Sequence, residues 1–537
     1  MQKLVLLGDE AIAQGAIDAG VSAVYAYPGT PSTEITEYLQ RSKEAKAGEI
    51  TAQWTANEKT AMEAAIGVSY AGRRAMTCMK HVGLNVAADP FMNSAITGVN
   101  GGLVIVVADD PSMHSSQNEQ DSRFFGKFAQ IPVLEPVNQQ EAYNMMSYAF
   151  DYSERLNVPV LIRLTTRLAH SRAGVDLTDN KINRNDFKLP DDNKQFVLLP
   201  SIARRNYRRL LDSWHLIEQE SETAGFNQYF DGDDKSLGII TTGIAFNYLR
   251  ENFEGGKVPF PVLKIAQYPE PKEMIRKLYN EVDKILVLEE GYPVLEDHLR
   301  GILNLGKQIH GRLDGTVPRD GELNPNIVAA ALSMHVDESY EFPPVVAPRP
   351  PMLCQGCPHT DSYKAMNEAL ASVGPGHVLA DIGCYTLGAL EPLEAINSCV
   401  DMGASITMAK GAADAGLHPS VAVIGDSTFT HSGITGLLDA VIHKTPVTVV
   451  ILDNGTTGMT GGQPSEATGR IEDICLGLGV EKDHIRVLNP IRKNHEENVK
   501  IFKQEFDYKG VSVIIPRREC IVTLNARLKA MKTKKLN

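Results

Sequence analysis

The chain has 537 residues, 43% hydrophobic and 22% charged, proportions that exclude a wholly disordered chain or a single coiled coil. Its 53 Lys and Arg against 66 Asp and Glu leave a net charge of −13, which argues against general nucleic-acid or anionic-membrane binding. At about 100–200 residues per domain, the length predicts three or four domains.

Residues 5–7 read as a short strand and 11–19 as a helix of small residues. Residues 23–27 form a strand ending in the turn Pro28-Gly29-Thr30-Pro31. Ser32 stands where an N-cap belongs, ahead of Ile35, Tyr38 and Leu39 at helical spacing. Residues 57–70 read as an Ala-rich helix ending near Gly72, and 103–108 and 158–164 as continuous apolar strands. Strands without alternation, separated by helices, predict a parallel sheet covered on both faces. Ligands of such sheets bind at the carboxyl ends of the strands, which the Pro28 turn and Asp109-Asp110-Pro111 occupy.

This first region is taken as 1–175. Residues 176–235 are charged and amide-rich, with an exposed helix expected over 207–220, and are assigned as a connector. A second α/β unit follows over 236–340, with strands at 237–242, 262–265 and 285–289 and helices at 273–279 and 295–302. Pro343, Pro344, Pro348, Pro350 and Pro351 mark 341–351 as a semi-rigid linker. The third unit, 352–537, has strands at 378–382, 421–424, 447–452 and 511–515. The expected fold class is α/β, with three doubly wound parallel-sheet domains.

The apolar runs are too short to span a bilayer, and the chain opens on a strand with no signal-peptide pattern. Seven cysteines are too few for a disulfide scaffold, so a reducing, cytoplasmic setting is expected, where clustered cysteines point to metal or redox chemistry.

The densest chemistry lies in 421–463. One strand ends in Gly425-Asp426-Ser427 and, after a helix, the next ends in Asp453-Asn454-Gly455. A single helical crossover makes such strands neighbours. A carboxylate and an amide oxygen then converge, a donor set that suits Mg²⁺ holding a diphosphate. Nearby glycines let backbone N–H groups approach phosphate oxygens. The bland alternative is two ordinary strand-end turns, but the spacing and the following Thr460-Gly461-Gly462-Gln463 stand against it. Glu58, in Asn57-Glu58-Lys59, heads a small-residue helix; the helix dipole alone favours a carboxylate there. Cys354-Gln355-Gly356-Cys357 is a C-x-x-C, followed by Cys384 at a strand end and Cys520 after the final strand. The C-x-x-C alone could be zinc, a redox pair or chance; four such thiolates could hold zinc or an iron–sulfur cluster. Cys78, Cys399 and Cys475 are expected to lie in the core.

The strand-end pair resembles the diphosphate motif of thiamine diphosphate enzymes. That resemblance makes Asp426, Asn454 and the carbonyl of Thr456 the Mg²⁺ ligands, with Ser427 where the motif usually has Gly. Across nearly the whole chain the sequence resembles indolepyruvate ferredoxin oxidoreductase alpha subunits, in the thiamine-dependent 2-oxoacid:ferredoxin oxidoreductase superfamily. The resemblance runs through Tyr27-Pro28-Gly29-Thr30-Pro31-Ser32-Thr33-Glu34, Asn57-Glu58-Lys59, Met79-Lys80-His81-Val82-Gly83-Leu84-Asn85 and Ala108-Asp109-Asp110-Pro111. It continues through the 114–121 loop, Gly356-Cys357-Pro358-His359 and Gly458-Met459-Thr460-Gly461-Gly462-Gln463.

The resemblance implies three domains of the thiamine-enzyme type: pyrimidine-binding (1–175), transketolase C-terminal-like (236–340) and diphosphate-binding (352–537). It places Glu58 against the thiamine pyrimidine, and Gly383, Gly425, Asp426, Ser427, Asn454, Thr456 and Met459 around the diphosphate. Cys354, Cys357, Cys384 and Cys520 match the superfamily's ligands for one [4Fe–4S] cluster. Many such subunits end in a ferredoxin-like domain. This chain ends at Asn537 after a basic tail (Arg527, Lys529, Lys532, Lys534, Lys535), so at most one cluster is expected.

The implied reaction is oxidative decarboxylation of an aryl-2-oxoacid of the indolepyruvate or phenylpyruvate type. Coenzyme A takes the acyl group and ferredoxin the electrons. A small beta subunit is expected to supply a gamma domain in an α₂β₂ assembly. Thr30 and His81, beside the flexible Gly83, are candidate substrate-side groups; their bland readings are a turn residue and a satisfied loop histidine. A non-oxidative thiamine decarboxylase or synthase is the alternative, distinguished by needing no cluster. A structural subunit with a vestigial site is a third reading.

Overall fold

The computed structural model describes residues 2–179, 182–192, 194–303, 306–336, 343–347 and 352–534. Asn180, Lys181 and Asn193 of the polar segment, Pro348, Pro350 and Pro351 of the linker and Lys535 of the tail lie outside them. The chain forms two compact units, Met1–Tyr340 and Glu341–Asn537.

The first unit begins with β1 (Lys3–Leu7), β2 (Ala23–Ala26), β3 (Thr51–Trp54), β4 (Ala75–Lys80), β5 (Leu103–Asp109), β6 (Val133–Leu134), β7 (Val160–Thr165) and β8 (Arg172–Asp176). It continues with β9 (Gln228–Phe230), β10 (Gly238–Thr242), β11 (Val262–Ile265), β12 (Gln267–Tyr268), β13 (Ile285–Leu288) and β14 (Ile309–His310). One sheet runs β12-β6-β7-β5-β4-β2-β3, a second β14-β13-β10-β11-β9, and β1 pairs with β8 in a separate antiparallel ribbon.

Leu103 to Ala108 are all fully buried, each apolar side chain contributing about 1.5–3 kcal/mol before entropy is charged. That burial explains why the strand shows no alternation. Val104, Val106 and Ala108 enter one core, and Leu103, Ile105 and Val107 the other, so the sheet is covered on both faces. Both cores run on into the second sheet: Ile239 and Val262 join the first, Ile240 and Leu263 the other. In addition β12 leaves the second sheet's run to pair antiparallel with β6, through Gln267 opposite Leu134.

Buried ions bind the same seam. Arg163, on β7, donates to Asp109 (2.6 Å), Glu135 (2.5 Å), Asp121 (3.3 Å) and the Glu290 carbonyl (3.2 Å). Arg123 donates to Asp121 (2.5 Å), Glu289 (2.9 Å) and the Tyr292 carbonyl (2.9 Å). Such pairs cost about as much desolvation as they return, but removing one member strands its partners, at about 3–5 kcal/mol.

Two local expectations are corrected. The connector helix, Pro200–Thr223, is not simply exposed: Asn206, Leu210, Ile217 and Ser221 are buried, and Leu210 joins a core. Ser32 does not cap the helix Thr33–Arg41; its hydroxyl donates back to the Gly29 carbonyl at 2.8 Å, closing the turn instead.

The second unit holds β15 (Val378–Ala380), β16 (Val421–Gly425), β17 (Thr448–Leu452), β18 (Thr456–Thr457), β19 (Gln463–Pro464), β20 (Ile485–Leu488) and β21 (Ser512–Pro516). Its sheet is parallel throughout, in the order β15-β16-β17-β21-β20. Val421, Val423 and Val450 face one core, and Ala422, Ile424 and Val449 the other. The fold is thus α/β, with three mainly parallel sheets. No helix among the described residues is long and apolar enough to cross a membrane.

Candidate active sites

In the second unit β16 and β17 are parallel neighbours, with Gly425 opposite Leu452, so Asp426 and Asn454 emerge at adjacent strand ends. Asp426 Oδ2 accepts from the Gly455 N–H at 3.0 Å. Asn454 Oδ1 accepts from the Thr456 N–H at 2.9 Å, and its Nδ2 donates to His359 Nε2 at 3.2 Å. Burial, then the charge of Asp453, pushes the Asp426 carboxyl up to about 7. Asp453 itself is held by Arg517 Nε at 2.6 Å. A buried carboxylate pressed by a second one, beside an amide oxygen, is a hard-oxygen donor set that fits Mg²⁺.

His359 was not singled out by sequence. Burial lowers its pKa to about 4, so its ring is neutral at ordinary pH and Nε2 can accept from Asn454. That bond sets the amide's orientation, as outer-sphere partners do at metal sites. No sequence signal links the two, 95 residues apart, beyond the histidine's position after Cys357-Pro358.

Gly383 and Gly425 are explained by Tyr385. A Cβ on either would lie 2.3 Å or 2.6 Å from the ring's Cε1. The ring's hydroxyl bonds Asp381, at the end of β15, which also accepts from Ser405 Oγ at 2.6 Å. Burial raises the Asp381 carboxyl to about 6. Ser427 Oγ accepts from Thr457 Oγ1 at 2.9 Å. Met459 is exposed, on a short turn over Gly458–Thr460.

The four cysteines converge on this site. Burial pushes the Cys384 thiol up to about 12, and Cys520, Cys357 and Cys354 add to it. Cys357 likewise feels Cys354 and Cys520. The Cys520 N–H donates to the Asn454 carbonyl at 3.1 Å, and a Cβ on Gly458 would lie 2.8 Å from Cys384 Sγ. The thiols therefore border the loop that follows Asn454, and their chemistry fits an iron–sulfur cluster. Of the other cysteines, Cys78 and Cys475 are buried as expected, but Cys399 is exposed: it lies on an irregular surface stretch rather than on a core strand.

In the first unit the helix Glu58–Tyr70 starts with Asn57 as N-cap, its side chain accepting from the Thr60 N–H at 2.9 Å. Glu58 is 5% exposed. Gly83 is not flexible. It sits in the helix His81–Val86, where a Cβ would lie 2.6 Å from Glu58 Oε1.

His81 follows β4 as the first residue of that helix and is buried; its Nε2 meets the Asn118 carbonyl at 3.1 Å while Nδ1 has no hydrogen-bond partner. A carbonyl only accepts, so Nε2 donates to it, and in the neutral ring Nδ1 is the free acceptor. Thr30 lies at the turn after β2, where its carbonyl accepts from Ser115 Oγ at 3.4 Å. Ser115's own carbonyl accepts from Lys80 Nζ at 2.9 Å. Burial lowers the Lys80 ammonium, opposed by the charges of Asp110 and Glu58. Lys80 and Asp110 thus join Thr30 and Glu58 at one set of strand ends. Asp110 was placed at such an end by sequence; Lys80 was not singled out, because it stands inside a longer motif with no spacing of its own.

Residues 14–224 match the family described as "Pyruvate flavodoxin/ferredoxin oxidoreductase, thiamine diP-bdg". Residues 381–514 match "Thiamine pyrophosphate enzyme, C-terminal TPP binding domain". Fold and matches together define a thiamine diphosphate-dependent 2-oxoacid oxidoreductase. The chain is 40% identical to an indolepyruvate oxidoreductase subunit IorA of Archaeoglobus fulgidus, over 97% of this chain and 87% of that one. It is 38% identical to the subunit of the same name from Methanothermobacter thermautotrophicus, over 98% and 88%. The chain belongs to the indolepyruvate oxidoreductase subunit IorA family. A solved 2-oxoglutarate:ferredoxin oxidoreductase from Magnetococcus marinus aligns at a TM-score of 0.47 and 15% identity, over 57% of this chain and 62% of that one. That likeness carries no part of the assignment.

Proposed function

We propose that this chain is the alpha subunit of an enzyme that oxidatively decarboxylates aryl-2-oxoacids of the indolepyruvate and phenylpyruvate type. In the net reaction CO₂ leaves and the acyl group passes to the thiol of coenzyme A, releasing its proton. Two electrons reduce two oxidised ferredoxins. Asp426, Asn454 and the Thr456 carbonyl would hold Mg²⁺, with Gly383, Gly425, Ser427 and Met459 around the diphosphate. Cys354, Cys357, Cys384 and Cys520 would hold one [4Fe–4S] cluster. Thiamine diphosphate, when bound, supplies the carbon nucleophile that attacks the keto carbon, and the cluster a one-electron relay.

The chain's own residues do the rest. Glu58, buried at a helix start and fixed by Gly83, would hold a proton at the pyrimidine ring. His359 orients the Asn454 amide. His81, with Nδ1 unpartnered, and Thr30 are proposed on the substrate side. The proposal includes a beta subunit carrying the gamma domain in an α₂β₂ assembly and a cytoplasmic location. It also includes the domain division 1–175, 176–235, 236–340, 341–351 and 352–537.

The observation that carries the reading is the cysteine quartet bordering the loop after Asn454. A cluster held there would set this chain apart from a non-oxidative decarboxylase, which needs none.

Anaerobic iron, sulfide and thiamine analysis of the wild type, Cys384→Ser and Asp426→Ala tests it. About four irons per wild-type chain are expected. Cys384→Ser should bleach the broad absorbance and stop ferredoxin reduction. Asp426→Ala should lose thiamine diphosphate. Stoichiometric zinc at the cysteines, or wild-type cofactor retention in Asp426→Ala, would refute the assignment.

A further inference from the structure

Away from these sites, three helices of the first unit bring together two carboxylates and an imidazole. Asp9 lies in the first turn of Gly8–Asp18, Glu34 in that of Thr33–Arg41, and His170 ends Thr166–His170. One ligand atom from each lies within 4.8 Å of the others. Glu34 Oε2 is 3.5 Å from His170 Nε2.

Asp9 is 0% exposed, and neither of its oxygens has a hydrogen-bond partner. Glu34, by contrast, has a partner: the His170 ring beside its Oε2 is the main cause holding its carboxyl below the usual range, so the unmatched group is Asp9. Leaving a buried carboxylate unmatched is among the costliest arrangements a fold can hold. Burial, then the charges of Glu34 and Glu10, push the Asp9 carboxyl well above its usual range. The backbone fixes the arrangement: a Cβ on Gly8 would lie 2.2 Å from the Leu168 carbonyl oxygen, so the Asp9 and His170 helices touch directly.

We infer that Asp9, Glu34 and His170 form a second divalent-cation site, separate from the Asp426 site. Carboxylate oxygens favour hard cations such as Mn²⁺, and imidazole adds affinity for the first-row metals, so the ligand is a cation of the Mn²⁺ or Fe²⁺ class. Asp9 supplies the buried anchor. His170, at the exposed end of its helix, is where the ion enters. The helix bearing Glu34 begins directly after the Pro28–Ser32 turn, so the cation would clamp the segment that carries Thr30.

The test uses full-length, chelator-treated protein carrying Asp426→Ala, which empties the diphosphate site, titrated with Mn²⁺ and followed by electron paramagnetic resonance. One Mn²⁺ per chain is expected, with nitrogen coupling in the pulsed spectrum. Asp9→Asn and His170→Gln should each weaken binding by about 10-fold or more, and His170→Gln should abolish the nitrogen coupling. Excess Mn²⁺ should raise the melting temperature only while Asp9 is intact. Should Asp9→Asn fail to fold, His170→Gln, at an exposed position, still reads the site. No Mn²⁺ bound in the Asp426→Ala chain would overturn the inference, because Asp9 would then simply hold a proton beside Glu34. Unchanged affinity and nitrogen coupling in His170→Gln would overturn it as well.

Discussion

Glu58 and its neighbours divide binding from activation. Glu58→Gln keeps the side chain's shape and its place against Gly83 but weakens the proton relay. Thiamine content should stay near normal while turnover falls about 10²-fold or more. Unchanged exchange of the thiazolium proton, read by NMR, would contradict this. Glu58, Asp426 and Asn454 were legible because each marks the boundary of a predictable strand or helix. His359, Tyr385 and Lys80 were not, since their partners arrive from distant sequence: Tyr363 bonds the Tyr385 carbonyl from 22 residues away, and Lys80 reaches Ser115 across 35. The cysteines sit between these cases. Their spacing left zinc and iron–sulfur both open; the superfamily resemblance points to the cluster, and the folded chain brings the four thiols together beside Asn454.

The helix His81–Val86 shows how an element can be legible while its role is not. Sequence marked Gly83 as a point of freedom; packing makes it a point of contact. Gly83→Ala should improve local helix propensity, yet its Cβ would meet Glu58 Oε1 at 2.6 Å and Cδ at 2.9 Å. The displaced carboxylate should cost about 10–100-fold in turnover, with the fold intact by circular dichroism. Wild-type turnover in Gly83→Ala would show that the contact does not position Glu58. Ser32 makes the same point. It has the right residue type for a cap, but its hydroxyl bonds Gly29 because the Pro28–Pro31 turn presents a nearer acceptor.

Across the whole chain, the strands and their parallel order were readable from continuous apolar runs. The fusion of the first two α/β regions was not: it depends on shared cores, on β12 crossing to β6, and on ions drawn from both regions. A buried carboxyl of the second region sets a pH dependence. Glu290 accepts from the Leu323 N–H at 3.1 Å, and burial raises its carboxyl from 4.5 to about 8. The folded chain therefore holds this proton more tightly than the unfolded chain. That contribution to stability is complete below about pH 4.5 and is lost as pH rises through about 8. Glu290→Gln should flatten the decline; because it also leaves the buried Arg312, 3.8 Å from Glu290 Oε2, without its counter-charge, the slope of stability against pH is the readout. Denaturation of both proteins across that range checks it; parallel curves would exclude Glu290 as the cause.

The lent strand β12 also has a consequence during synthesis. Glu135, next to β6, is made 133 residues before Tyr268, whose hydroxyl it accepts. At about 5–20 residues per second, that gap lasts on the order of 10 s. Throughout it β6 is an open sheet edge on the ribosome, and Arg163 lacks the Glu290 carbonyl that will later join its shell. The nascent chain is therefore most exposed to mispairing after its first sheet is nearly complete, which makes that interval the one in which a chaperone would matter most.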